Sequence, residues 1–258
     1  MSPDSPPPLA LTGERTLPGV NDENYWFQRH VVAYELAAAR AGHRAVLDAG
    51  CGEGYGLEML ASGGAVRVVG ADLDEQVIAH VGATYARHDP RIEAVSCELM
   101  ELPLDDESID LVVSFQVIEH LYDIPGYLAS LRRVTRPGGE LMISTPNRLT
   151  FTPGSETPVN PFHVREFAPD ELVEEIERAG FRVTLLIGLR HARWLRSLER
   201  LGGRTLPDLL SSRPPAHWPA WVRWVVAGVR PSWFELHPRD LEDTLDLIVV
   251  ARKPLEDG

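Results

Sequence analysis

The chain has 258 residues and a formal net charge of −13, and of its 25 basic side chains only Lys253 is a lysine. A phosphate-cradling P-loop, a Schiff-base site and a Tyr-x-x-x-Lys dehydrogenase site each need a lysine inside the fold, so all three are excluded, and the acidity argues against a nucleic-acid partner. Two cysteines, Cys51 and Cys97, make neither a disulfide framework nor a cysteine-rich zinc site, and no apolar run is long enough to span a bilayer; the expectation is a cytoplasmic protein without membrane insertion.

In chain order, Met1–Ala10 holds four prolines and reads as a disordered leader, and Asn24–Ala39 places aromatic and aliphatic residues at helical spacing. Short aliphatic runs predict strands at Ala45–Asp48, Val66–Ala71, Arg91–Val95, Ile109–Ser114, Glu140–Ser144 and Val183–Ile187. Between them lie predicted helices Tyr55–Ser62, Asp74–Ala86, Ile124–Thr135 and Pro169–Ala179. This alternation predicts an α/β fold with a doubly wound, mostly parallel sheet of seven strands, completed by Leu245–Ala251. The composition changes in Gly188–Thr244, which contains five of the six tryptophans, while Arg190–Arg239 holds nine arginines against three acids. The segment reads as a helical insertion between the last two strands. The expected division is a leader and entry helix over 1–40, a core over 41–187, a lid or interaction subdomain over 188–244, and a final strand and tail over 245–258.

The first predicted strand runs into Gly50-Cys51-Gly52-Glu53-Gly54-Tyr55-Gly56. Glycines let the backbone turn sharply and approach a ligand, and the following helix offers free N–H groups. Asp72 ends the next strand, 22 residues after Gly50, where an acid accepts ribose hydroxyls. Tyr55 stands where a dinucleotide fingerprint needs its third glycine, which weakens a nicotinamide reading.

The string Val46–Gly56 resembles motif I of class I S-adenosylmethionine-dependent methyltransferases. The likeness continues through Asp72, Glu98–Leu104, Ile109–Ser114 and Arg136–Leu141, covering roughly Ala45–Ile187. It implies a Rossmann-like fold and S-adenosylmethionine as cofactor, bound by Asp48, Gly50, Cys51, Gly52 and Tyr55, by Asp72 with Leu73, by Glu98 with Leu99, and by Gln116. Glu98 stands where the family more often has Asp. The pair Glu119-His120 resembles the Glu-His pair of quinone-biosynthesis O-methyltransferases, which implies a divalent metal such as Mg2+. Gln116 replaces that pattern's upstream acid, so a structural pair is the equal alternative.

Ligands sit outside the carboxyl ends of the strands in such a sheet, so Phe115–Asp123, Thr145–Ala168 and the insertion are expected to roof one crevice. His163 is the leading candidate for general base and His120 the second, because imidazole titrates near neutrality; a structural role for the loop histidine is the alternative. Glu23–His30, Ser144–Arg148 and Asn160–Phe167 resemble O-methyltransferases of mycobacterial polymethylated polysaccharides. That likeness implies a sugar or polysaccharide hydroxyl as acceptor, with Asn147 near it, and places Tyr25 and Arg29 near the cofactor or acceptor; packing and solvating the first helix is the equal alternative for those two. Trp218, Trp221 and Trp224 suit sugar stacking, or helix packing and a homodimer contact. The expected activity is O-methyl transfer to a glycan. The alternatives are a quinone or other small metabolite as acceptor, a nicotinamide-dependent oxidoreductase, and a non-catalytic cofactor-binding protein.

Overall fold

A computed structural model of the protein describes Leu9 and residues 15–203, 205–211 and 214–255; apart from Leu9, the expected leader lies outside the described residues. The strands are β1 (Ala45–Ala49), β2 (Arg67–Asp72), β3 (Ile92–Ser96), β4 (Ile109–Phe115), β5 (Thr135–Pro146), β6 (Arg182–His191), β7 (Phe234–His237) and β8 (Asp246–Arg252). Helices α1 (Asn24–Ala38), α2 (Tyr55–Ser62), α3 (Glu75–Val81), α4 (Ile124–Val134), α5 (Arg148–Phe151) and α6 (Pro169–Arg178) accompany the first six strands. Helices α7 (Arg193–Gly202), α8 (Leu206–Ser211) and α9 (Ala220–Ala227) lie between β6 and β7. The predicted helix over Asp74–Ala86 divides into α3 and one π turn, Gly82–Ala86.

The strands form one sheet in the order β3-β2-β1-β4-β5-β8-β6-β7. The first five are mutually parallel, β8 runs antiparallel to both neighbours, and β7 pairs antiparallel with β6. The sheet therefore has eight strands rather than the expected seven. The extra one, β7, comes from inside the insertion, where four residues after a Pro-Ser-Trp turn find the free edge of β6. β6 itself runs on to His191, past the expected end at Ile187.

Successive side chains of a strand face opposite sides, and both faces are covered. Val46, Leu111, Val113, Ile248 and Val250 pack with Tyr34, Leu57, Leu60 and Val81 of α1 to α3. Leu47, Val112, Leu141, Ile143, Leu247 and Val249 pack with Leu128, Leu131, Leu172 and Ile176 of α4 and α6. A third cluster joins α1 to the insertion through Tyr25, Val32, Leu206, Trp218, Val222 and Phe234. The strand order switches sides between β1 and β4, which run parallel, and a crevice opens at their carboxyl ends.

Candidate active site

The glycine turn after β1 is shaped as its sequence requires. Gly50, Gly52 and Gly54 have φ of +86°, +52° and +102°, a region that side chains with a Cβ avoid. A Cβ on Gly50 would lie 2.5 Å from Val117 of the next crossing loop, so the backbone approaches there as closely as it can. The Gly52 N–H donates to Asp72 Oδ2 at 3.0 Å, and the Asp74 N–H donates to Asp72 Oδ1 at 3.0 Å, locking the turn to the end of β2. Asp74 in turn caps α3 and binds Arg15 at 2.9 Å. Glu53 closes the back of the turn, accepting from the Tyr85 hydroxyl at 2.8 Å and facing His80 at 2.9 Å.

A cavity of 470 Å³ lies over this turn. Its walls include Gly50, Cys51, Gly52, Tyr55, Asp72, Leu73, Glu98, Leu99 and Gln116, so nine of the ten residues expected to hold a cofactor border one space. The volume suits a nucleoside-sized ligand. Asp48, the tenth, does not border it: the side chain is fully buried under the turn, where it accepts a hydrogen bond from Tyr34 at 3.0 Å. Among the described residues, Asp48 Oδ1 has no hydrogen-bond partner. Burial, reinforced by the charge of Asp72, pushes the Asp48 carboxyl up to about 7, although the Tyr34 hydrogen bond pulls it the other way. Burial likewise raises the Cys51 thiol, which makes it a packing residue rather than a nucleophile.

A second cavity of 260 Å³ adjoins the first, sharing Arg15, Thr16, His30, Gln116 and His120, and adding Trp26, Arg29, Glu119, Asn160 and His163. Gln116 stands between them in the left-handed region, φ +57°, held through its amide to Ser144 at 3.2 Å. A non-glycine residue in that conformation is the kind of strain found at functional loops. Thr16, His30 and the Tyr55 hydroxyl form a triangle of contacts of 3.2–3.3 Å at the junction. Burial, with the charge of Arg29, pushes His30 down to about 3, so this imidazole is neutral.

Both candidate proton acceptors face this second cavity. His163 is nearly enclosed, with Nδ1 2.7 Å from Glu166 Oε1 and Nε2 2.9 Å from the Asn160 side-chain amide. An Nδ1–H donated to Glu166 leaves the Nε2 lone pair turned away from the carboxylate, the orientation a general base needs. Sequence reading passed over Glu166. Its signal is the spacing His163-x-x-Glu166, and its buried second oxygen has no hydrogen-bond partner among the described residues. His120 packs edge-on against His163 at 5.0 Å between ring centroids, its Nδ1 3.1 Å from the Phe162 carbonyl.

Glu119, His120 and His163 bring one ligand atom each within 4.8 Å of one another, so they could hold a divalent ion. The buried Glu119 also accepts from Thr145 at 3.0 Å. With two imidazoles and one carboxylate, this donor set does not suit Mg2+, which takes oxygen ligands.

Two residues expected at the acceptor lie elsewhere. Tyr25 is fully buried and hydrogen-bonds His191 Nε2 at 2.8 Å, because α1 uses that face to seat the insertion. Asn147 is fully buried, donating to the carbonyls of Leu241 and Thr244 at 2.7 and 3.0 Å, and so fastens the end of β5 to the segment before β8. Arg29 does border the second cavity, yet its guanidinium is committed to Asp246 at 3.0 Å and stacks over Trp26 at 5.0 Å. Besides the glycine turn, the ends of β2 and β3 and Arg15–Thr16, the walls of the two cavities come from the expected loops after β4 and β5 and from α1; among the described residues, none comes from 188–244.

Comparison with known proteins places this architecture. A family described as a methyltransferase domain matches residues 47–143. A protein of Mycolicibacterium smegmatis named as an S-adenosylmethionine-dependent methyltransferase is 47% identical over 254 residues, 96% of this chain and 97% of its own. The ubiquinone biosynthesis O-methyltransferase of Coxiella burnetii is 30% identical over 158 residues, 57% of this chain and 67% of its own. The solved structure of a geranyl diphosphate methyltransferase in complex with S-adenosylmethionine shares the fold, with a TM-score of 0.60 at 15% identity over 92% of this chain and 91% of that one. An eight-stranded Rossmann-like sheet, a glycine turn with its acidic partner, and near full-length similarity converge: the chain belongs to the class I S-adenosylmethionine-dependent methyltransferases.

Proposed function

We propose that the protein is an O-methyltransferase that transfers the methyl of S-adenosylmethionine to a hydroxyl of a sugar or oligosaccharide. The observation that carries this reading is the junction of the two cavities at Gln116 and His120, with the enclosed His163–Glu166 pair on the wall of the smaller one. The larger cavity fits the cofactor: the glycine turn leaves room that a Cβ would fill, and the Asp72 oxygens, each already accepting one backbone N–H, keep lone pairs for the ribose hydroxyls. Bound there, S-adenosylmethionine supplies a methyl on an electrophilic sulfonium.

The chain's own part is orientation and proton transfer. Alignment of the acceptor with the reacting axis accounts for several kcal/mol of barrier. The turn and Asp72 fix one reactant, and the walls formed by Arg15, Trp26 and Asn160 fix the other. His163 Nε2 takes the hydroxyl proton, displacing the Asn160 amide, and Glu166 stabilises the resulting imidazolium through Nδ1–H; His120, at the junction, is the alternative acceptor. A small chamber that sets the rings of Trp26 and Phe151 among polar side chains such as Gln116 and Asn160 favours a carbohydrate ring. Similarity to a ubiquinone O-methyltransferase supports a quinone as the second reading.

The test is incubation with methyl-labelled cofactor and fractionated carbohydrate, lipid and quinone extracts, beside calorimetry of the cofactor with wild type and Asp72→Ala. Label in a carbohydrate hydroxyl and loss of binding in Asp72→Ala are expected. Label confined to quinones overturns the acceptor. Unchanged affinity in the variant overturns the cofactor site, and tight binding with no acceptor labelled points to a non-catalytic role.

A further inference from the structure

The insertion carries a charged and apolar surface that the two cavities do not use. The chain as a whole is at −13, yet Arg190–Arg239 has nine arginines and three acids, so positive charge is gathered on one part of an acidic molecule. Within it, α7 is strongly amphipathic in an inverted sense. At 100° per residue Trp194, Leu198 and Leu201 form one stripe, and they are 45%, 57% and 87% exposed. The helix is anchored by its other side, through buried Leu195, the pair of Glu199 with His191 at 2.9 Å and the pair of Arg196 with Glu235 at 2.9 Å. Arg193 and Arg200 are exposed beside the stripe. Helix α9 repeats the arrangement, burying Val222 and Val226 while Trp221 and Trp224 are 58% and 79% exposed.

We propose that the exposed face of α7 docks the protein onto an anionic lipid surface, Arg193 and Arg200 at the headgroups and Trp194, Leu198 and Leu201 at the acyl boundary. Helices that lie in the interface combine a basic flank with Trp and Leu on the apolar side, and each cation near such a surface adds to binding. Among the described residues no helix is long and apolar enough to cross a membrane, so the contact is peripheral. Charge chooses among the other occupants. A two-fold contact with a second copy would set one arginine-rich face against another. A nucleic acid would neutralise the arginines and leave Leu198 and Leu201 in water. The acidic remainder of the molecule is repelled by the same lipids, which fixes the orientation of docking.

The test is co-sedimentation of the full chain with vesicles of equal parts phosphatidylglycerol and phosphatidylcholine, against phosphatidylcholine alone, with cofactor calorimetry as a control for folding. Binding to the anionic vesicles, weakened by salt, is expected. The exposed double variant Leu198→Ser/Leu201→Ser should bind roughly tenfold more weakly, and Arg193→Glu/Arg200→Glu should lose most of the binding, both with cofactor affinity unchanged. No binding at low salt, equal binding to neutral vesicles, a Leu198→Ser/Leu201→Ser variant that binds like wild type, or a solution dimer that this variant dissolves would each overturn the proposal. Because cofactor binding is read separately, failure here leaves the methyl-transfer reading standing.

Discussion

Asp48→Asn tests the electrostatics beneath the glycine turn. The wild-type carboxyl titrates at about 7 in the folded protein against an ordinary 3.8. The folded state thus holds a proton that the unfolded chain releases near pH 4. Stability from this group is present below that point and lost as pH rises to about 7, for a total on the order of 4 kcal/mol. His30 has the opposite sign: its folded value of about 3 lies below the usual 6.5, so its contribution is present above about 6.5 and lost as pH falls. Between about pH 4 and 6.5 the two slopes oppose, and apo wild type should be nearly flat in its dependence on these groups. Asparagine keeps an acceptor for the Tyr34 hydroxyl and removes the buried charge. Thermal melts of the apo protein from pH 4 to 8 should show the variant rising with pH at up to about 1.4 kcal/mol per unit through the His30 range. At pH 8 it should melt several degrees above wild type, at about 2–4 °C per kcal/mol for a chain of this size. A variant that melts no higher than wild type at pH 8, or whose profile runs parallel to it, refutes the reasoning.

Gly50→Ala meets both a positive φ and Val117 at 2.5 Å, so calorimetry should find cofactor binding lost and melting should fall by about 1–3 kcal/mol. Adding Val117→Ala relieves only the steric part and should recover stability in part. His163→Ala should lower turnover by roughly 10²–10⁴ while cofactor affinity persists. Glu166→Gln should lower turnover less and shift the pH–rate profile, since the imidazolium loses its counter-charge; unchanged rates in both would remove the pair from the mechanism. Arg29→Ala leaves Asp246 buried without its guanidinium and should cost about 3–5 kcal/mol by denaturant melts, whereas Arg29→Met with Asp246→Leu should recover most of that.

The parts of the fold that were legible in the sequence are those where local pattern and tertiary role coincide. Gly50, Gly52 and Asp72 declare themselves because a turn with positive φ and an acid at a strand end leave few alternatives, and both border the same cavity. The strand runs were readable because both faces of the sheet are covered, which leaves β1, β4 and β8 almost wholly buried and mostly apolar. Tyr25 and Asn147 were misplaced for a physical reason: polar side chains on the right segments can equally be buried fasteners, and only the packing of the insertion and of 241–244 shows that these are. β7 was invisible because the apolar–polar alternation of Phe234–His237 is only four residues long and is ordered by the edge it joins. Glu166 went unnoticed because the His163-x-x-Glu166 spacing lies in a loop, where only the folded contact shows that the two side chains meet.

The placement of β8 has a consequence for how the protein reaches this shape. β6 meets β5 nowhere directly; the two are joined through β8, which lies between them and pairs with both. The parallel half of the sheet can assemble from residues through Pro146, but the β6–β7 ribbon and the helices carried between its strands have no berth until residues 246–252 arrive. A nascent chain halted before Asp246 would present β5 as an open edge and β6 as a loose ribbon, the kind of unpaired strand that invites association with other chains. Closure of this sheet therefore waits on a single strand, Asp246–Arg252.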